Sequence, residues 1–407
     1  MQKNLERYWP YVFGLLGPLS YFSVYALWLP ILLILILKCS HLVFVIRTDG
    51  PRFFRRYVFY FLLPIFGLLS AIWAIVPLDS VSTALKFVGY IFMAIFLGVA
   101  VKSANSREKE QIPLITASGF LSTYPIVILD VMLAGDISSA FKTSLYAVEI
   151  YSRGTAITAC LLVPVAVGLF RSNSKWFSIA FILLSLGMIF GFNMEASKLA
   201  IVCGVIIYFV VKWKPKAFWS LIILPIVSFF VFPFIFLTPI SDRDKCWLNE
   251  VHSSGLHRIL IYQFMTEKII EKPWIGWGMD ASRSIPGGST GVQSVDCIKS
   301  DESRYILRLG GTKTLHPHNA GIQIWLELGL LGCLFLLFSI CLLMSRMKEK
   351  IISDQGQAIL ASTFYCISII YGISFGLWQS WLMFSMILVG STISLLFSDH
   401  GKDPQIS

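Results

Sequence analysis

The densest chemistry in this 407-residue chain is the run His316-Pro317-His318-Asn319, which leads directly into an apolar stretch beginning at Ala320. Pro317 suits the first turn of a helix, where its missing N–H costs nothing. The exposed backbone donors of such a start, with the helix dipole behind them, make a place for an anion. A histidine there is disfavoured from carrying charge and tends to stay a neutral base, and His316 and His318, with Asn319 beside them, are the candidates. Asn319, Gln323 and Glu327 follow at i, i+4 and i+8, one polar stripe running down the same helix. A carboxylate in that position is a functional candidate, and the plain alternative is a hydrogen bond that packs helices. His316 and His318 with His257 or His252 are a weaker pattern for zinc, because no HExxH or cysteine-rich spacing accompanies them. Neither a metal nor a cofactor is expected.

Cations come from four other places. Arg258 lies in the segment 253–264, which reads as a helix start. A serine supplies its cap, and Leu256, Ile259, Leu260 and Phe264 recur at helical spacing. That helix should run to Lys272 and stop at Pro273. The planar fork of Arg258 can hold a phosphate by two hydrogen bonds. Lys86, Arg153 and Lys198 lie near the same ends of three separate apolar runs. Each alone reads as a snorkelling side chain. Together with Arg258 they can surround a di-anionic group at head-group depth, and a lipid-linked pyrophosphate fits that description. Residues 273–278 (Pro-Trp-Ile-Gly-Trp-Gly) form a tight aromatic turn, and Trp378 and Trp381 open the last apolar run as boundary residues, Trp378 also being a substrate-contact candidate.

The elements that must position these residues are membrane helices. The chain is 56% hydrophobic and 14% charged, where a soluble domain has roughly 25% charged residues. Its apolar runs are near the length that crosses a bilayer. Twelve spans are read, near 10–24, 26–46, 57–77, 81–101, 113–133, 154–171, 176–192, 196–211, 217–238, 318–344, 357–376 and 378–397. The net charge of +10 sits in short loops between spans, which excludes nucleic acid as the partner and leaves membrane lipids. Clusters such as Arg47, Arg52, Arg55 and Arg56 alternate with cation-poor loops, so the positive-inside rule places both termini in the cytoplasm. The organisation expected is 1–238 with nine spans, 239–317 as one large periplasmic loop containing helices, 318–397 with three spans, and a cytoplasmic tail 398–407. Cys246 and Cys297 lie in the loop and can form a disulfide in an oxidising compartment, two free thiols being the alternative. No cleaved signal peptide, internal repeat, GxGxxG or Walker A pattern is read, so an ATP-driven pump is disfavoured. A secondary transporter is the rival from another class, weakened by the lack of two related halves.

The arginine-bearing helix, the run Glu271 to Gly278, His316 to Asn319, and Gln323 to Gly332 together resemble the O-antigen ligase and polymerase superfamily. The resemblance implies an all-α polytopic fold similar to membrane glycosyltransferases of the C class. It implies a metal-independent, inverting transfer of O-antigen glycan from undecaprenyl pyrophosphate to lipid A–core, on the periplasmic face of a Gram-negative inner membrane. His318 matches the family's proposed general base and Arg258 its pyrophosphate-gripping loop arginine. Where the family has a Ser-Arg pair, this chain has Ser197-Lys198, which keeps the charge and loses the fork, so Arg153 is a candidate to share the role. An O-antigen polymerase or a protein O-oligosaccharyltransferase would use the same donor. The shortness of the segment from about 134 to 153 favours the ligase, because polymerases often divide their outer residues between two large loops.

Overall fold

The computed structural model describes residues 6–136, 147–287, 293–298, 304–309, 317–348 and 353–397. In chain order its helices are α1 (Leu16–Phe22), α2 (Trp28–Leu37), α3 (Cys39–Tyr57), α4 (Leu62–Leu69), α5 (Pro77–Lys102), α6 (Ser106–Met132), α7 (Ala147–Arg171), α8 (Lys175–Gly191), α9 (Glu195–Trp213), α10 (Phe218–Val231) and α11 (Asp242–Glu271). A hairpin of β1 (Gln293–Ile298) and β2 (Arg304–Leu309) follows, then α12 (Ala320–Lys348), α13 (Asp354–Ile373) and α14 (Ser380–Phe397). Among the described residues eight helical stretches are long and apolar enough to cross a membrane, and three more apolar helices are shorter. The chain is therefore a polytopic membrane protein built mainly of helices.

The differences from twelve regular spans lie at the N-terminal end. The expected span 10–24 is a 3-10 helix, Trp9–Leu15, followed by the seven-residue α1. Pro10 and Pro18 deny backbone donors to a longer α-helix there. The basic loop 47–56 is helical instead: α3 runs through it and bends at Gly50, whose φ is 45°, just before Pro51. The expected span 57–77 is α4 flanked by short 3-10 turns.

The core is centred on α7, the most buried of the spans, packed by α1, α6, α8, α9 and α13. Trp9, Tyr21, Phe120, Tyr124 and Tyr151 are fully enclosed there. α9 and α13 run antiparallel in close contact, and a Cβ on Gly204 would lie 2.5 Å from the Cys366 sulfur. Their packing brings Glu195–Lys198, at the start of α9, beside the end of α13.

The segment after α10 is one 30-residue helix, α11, rather than a helix starting at Ser253. Its cap is Ser241, whose hydroxyl accepts from the Asp244 N–H at 3.2 Å. It ends at Glu271, just short of Pro273 as the sequence predicts. The hairpin departs from an all-α chain. It is antiparallel, with Gln293 opposite Leu309 and Ile298 opposite Arg304. Val295, Cys297 and Leu307 bury its inner face against Cys246 and Leu256 of α11, and a Cys246–Cys297 disulfide ties the two together.

Candidate functional site

α12 is broken in the middle. Gly329 has φ 61° and ψ −160°, a conformation open to glycine because it lacks a Cβ. The break frees backbone groups, and the aromatic turn 273–278 takes them up. The N–H groups of Trp277 and Gly278 donate to the carbonyls of Leu326 and Glu327 at 2.9 and 2.8 Å. The N–H groups of Leu330 and Leu331 donate to the carbonyls of Pro273 and Trp274 at 2.8 and 3.1 Å. A Cβ on Gly276 would lie 2.4 Å from the Glu327 carbonyl, so the backbones touch. Gly276 and Gly278 of the turn and Gly329 of α12 thus meet in one joint.

Above that joint, the polar stripe of α12 holds the end of α13 and the 374–379 connection to α14. Asn319 caps α12: its Oδ1 accepts from the Ile322 N–H at 2.9 Å, and its Nδ2 donates to the Gly372 carbonyl at 2.7 Å. Gln323 Oε1 accepts from the Leu377 N–H at 2.6 Å, and its Nε2 donates to Glu327 Oε1 at 3.0 Å. Glu327 is fully buried. It also accepts from the Asp280 N–H at 2.7 Å, from the Ser282 hydroxyl and from the Trp378 indole N–H. Asn319, Gln323, Glu327 and Trp378 therefore all take part in internal bonds. Gly372, Ser374, Leu377, Asp280 and Ser282 are partners of the stripe that sequence reasoning missed, since their backbone or hydroxyl groups carry no motif.

His318 stands at the head of this stripe with φ 55°. Its Nδ1 bonds the Ser374 carbonyl at 2.9 Å. A carbonyl only accepts, so Nδ1 carries the proton and the neutral ring has its lone pair on Nε2. Burial pushes His318 below the ordinary histidine range; the carbonyl bond opposes this, and the charges of Arg258 and His257 add to the lowering. Arg258 is half-buried on α11, and its charge acts on both Tyr262 and His318. The Tyr262 hydroxyl lies 3.5 Å from the His318 carbonyl, which fixes α11 against the start of α12. His318 and Arg258 thus lie close enough for the charge of the arginine to act on the imidazole.

Arg153 and Lys198 form a second group at the adjacent ends of α7 and α9, where Thr155 and Ser197 hydroxyls bond at 3.1 Å. Lys198 pairs with Glu195 at 2.8 Å. Arg153 donates to the Tyr25 hydroxyl at 3.1 Å and lies over the rings of Tyr25 and Trp381. The 374–379 connection and the start of α14 join the two groups, with Ser374 on His318 and Trp381 under Arg153. Lys86 is placed elsewhere. It acts on Asp280, which accepts from the Thr83 hydroxyl at 2.8 Å and meets Arg283 at 3.5 Å. Asp280 binds Glu327, nine residues along α12 from His318, or about 13 Å of helix rise. His316 and the side chain of His252 lie outside the described part of the structure. Among the described residues no three His, Cys, Asp or Glu side chains gather as metal ligands would.

Residues 180–337 match the family model described as O-antigen ligase. That stretch contains Lys198, Arg258, the 273–278 turn, His318 and Glu327. A protein of Rickettsia conorii that bears the name "Putative polysaccharide ligase" is 28% identical over 334 residues, covering 81% of this chain and 76% of its own. Relatives of the same name from Rickettsia felis and Rickettsia prowazekii are 27% and 25% identical, each covering 81% of this chain and 77% of their own. These findings bear out the likeness to the O-antigen ligase superfamily.

Proposed function

We propose, from that likeness and from the pairing of His318 with Arg258, that the chain is a membrane glycosyltransferase of the O-antigen ligase type. Its donor is a glycan on undecaprenyl pyrophosphate and its acceptor a sugar hydroxyl of lipid A–core, joined on the periplasmic face. The observation that carries this reading is the imidazole of His318, its Nδ1 held by the Ser374 carbonyl and its ring within reach of the Arg258 charge.

The donor is already activated, so no nucleotide is consumed. Nε2 of His318 takes the proton of the acceptor hydroxyl as that oxygen bonds the anomeric carbon. The bond from that carbon to the pyrophosphate oxygen breaks, and the lipid pyrophosphate leaves as an anion. Arg258, with Lys198 and Arg153 from across the 374–379 connection, stabilises the departing charge. A single displacement inverts the anomeric centre. Cations of the protein take the part a metal ion plays elsewhere, and the mechanism assigns no step to Lys86.

Reconstitution with undecaprenyl-linked glycan and rough lipopolysaccharide tests the reading. A lipopolysaccharide band shifted to higher mass supports the ligase. A longer lipid-linked glycan would make the chain a polymerase. Activity lost in EDTA and restored by a divalent metal would argue against the metal-independent scheme.

A further inference from the structure

The helix that follows His318 does not direct its ring. His318 stands just before α12 with a left-handed backbone, φ 55°. A 2.9 Å bond from Nδ1 to the Ser374 carbonyl orients the imidazole from outside, and Ser374 is the first residue after α13. An imidazole can carry its proton on either nitrogen, and the bond made by one nitrogen decides the state of the other. The place of a single backbone carbonyl thus decides which nitrogen of His318 has the lone pair.

That carbonyl is itself held in place by α12. On one side of Ser374, the Gly372 carbonyl accepts from Asn319 at 2.7 Å. On the other, the Leu377 N–H donates to Gln323 Oε1 at 2.6 Å, and the Trp378 indole donates to Glu327. Asn319 also caps α12 through the Ile322 N–H, and Glu327 also accepts from Asp280 and Ser282. The Gln323 amide, by contrast, bonds only to the connection and to Glu327. A backbone N–H only donates, so Oε1 must face Leu377 and Nε2 is turned to the carboxylate. Gln323 is 2% exposed, so a substrate feels it through other groups.

We propose that Gln323 is a positioning residue for the transfer: by holding the Leu377 N–H it fixes the Ser374 carbonyl, which keeps the His318 proton on Nδ1 and leaves the lone pair on Nε2. The role rests on the reaction proposed above, in which Nε2 takes the proton of the acceptor hydroxyl. Without the Gln323 amide, the buried Leu377 N–H has lost its acceptor and the connection must shift to satisfy it. The Ser374 carbonyl moves with the connection. The ring can then adopt the other tautomer, with a proton on Nε2 where the reaction needs a lone pair.

The test uses the full chain with ¹⁵N-labelled histidine in lipid nanodiscs at pH ~8, above the usual histidine range. The His318 signals are those lost in His318→Ala. The unaltered protein should show a protonated Nδ1 and an unprotonated Nε2. Gln323→Met keeps the volume and removes both bonds. It should bring up a protonated Nε2 and lower kcat by about 10- to 100-fold. KM for the lipid-linked glycan should stay within about twofold, because no substrate contact is lost. Replacing Leu377 by its α-hydroxy acid removes the same bond from the other side and should lower kcat alike. Tyr124→Phe removes a buried 2.8 Å bond to Ser185 in the core and should change neither tautomer nor rate. A protonated Nε2 in the unaltered protein, an unchanged tautomer in Gln323→Met, or a raised KM with kcat intact would overturn the inference. Should Gln323→Met not fold, an undiminished kcat in the Leu377 ester overturns it instead. A tautomer change in Gln323→Met, in a chain that transfers no glycan, would support the positioning and end the ligase reading.

Discussion

At the start of α12, His318, Asn319 and Gln323 bond backbone groups of residues 372–377, at the end of α13 and just beyond it, and Glu327 bonds groups of residues 280–282. At the ends of α7 and α9, Arg153 and Lys198 bond instead to the tips of exposed side chains, Tyr25 and Glu195. The first set cannot move without breaking buried bonds, each of which leaves a costly unsatisfied group. The second can change partners cheaply, because an exposed ion pair contributes only about 0–1 kcal/mol. A pyrophosphate arriving near Lys198 has to displace one solvated carboxylate, whereas nothing has to be displaced to orient His318. On the proposed function, the imidazole is set by folding and the cations can be recruited by the substrate.

That contrast breaks most sharply at His318. His318→Ala should lower transfer by about 10²- to 10⁴-fold in the purified, reconstituted enzyme while the protein remains folded in the membrane. Near-normal transfer would remove the base assignment. Glu327→Leu should act on stability instead, by about 3 kcal/mol or more, because the donors of Asp280, Ser282, Trp378 and Gln323 lose their acceptor. Thermal unfolding in detergent reads this directly, and an unchanged melting temperature would show that the joint does not need its carboxylate.

Arg258→Lys keeps the charge and loses the fork, so transfer should fall by roughly tenfold. The pH profile sharpens the same pair. With His318 lowered below its usual 6.5, the base stays unprotonated through neutral pH, and activity should decline only on the acid side with a midpoint under that value. Arg258→Gln removes a charge that opposes protonation, so the midpoint of the residual activity should move upward. A midpoint unmoved by that substitution would place the two groups too far apart to act together. The smallest effect is expected at the exchangeable end: Lys198→Arg should leave transfer within about threefold, because the partner there is a solvated side chain.

Much of the site was legible in the sequence because its parts are marked locally. The proline after Lys272 ends α11, and the spacing of Asn319, Gln323 and Glu327 is a helical stripe in the structure, although Pro317 and His318 lie before the first turn of α12 rather than in it. What the stripe bonds was not legible, since Gly372, Ser374 and Leu377 contribute only backbone atoms, and backbone is the same at every residue. Lys86 looked like a member of the cationic set because depth in a span was all the sequence offered; lateral position, which puts it beside Asp280, comes from packing. The hairpin was missed although Gln293–Ile298 and Arg304–Leu309 alternate in polarity, because cysteines and charges within short strands blur the period. The start of α11 was placed too late because Ser253 is as good a cap by type as Ser241, and only the bond to Asp244 separates them.

The joint between the 273–278 turn and Gly329 also constrains how the protein is made. Open carbonyls and amides in a half-inserted helix are expensive in hydrocarbon. Synthesis proceeds from the N-terminus, so the ribosome delivers the turn well before it delivers Gly329. The emerging helix therefore meets a ready acceptor for its interruption. Moving the turn to a position after α12, as in a circularly permuted gene, would expose the gap during insertion and should send the nascent chain to degradation.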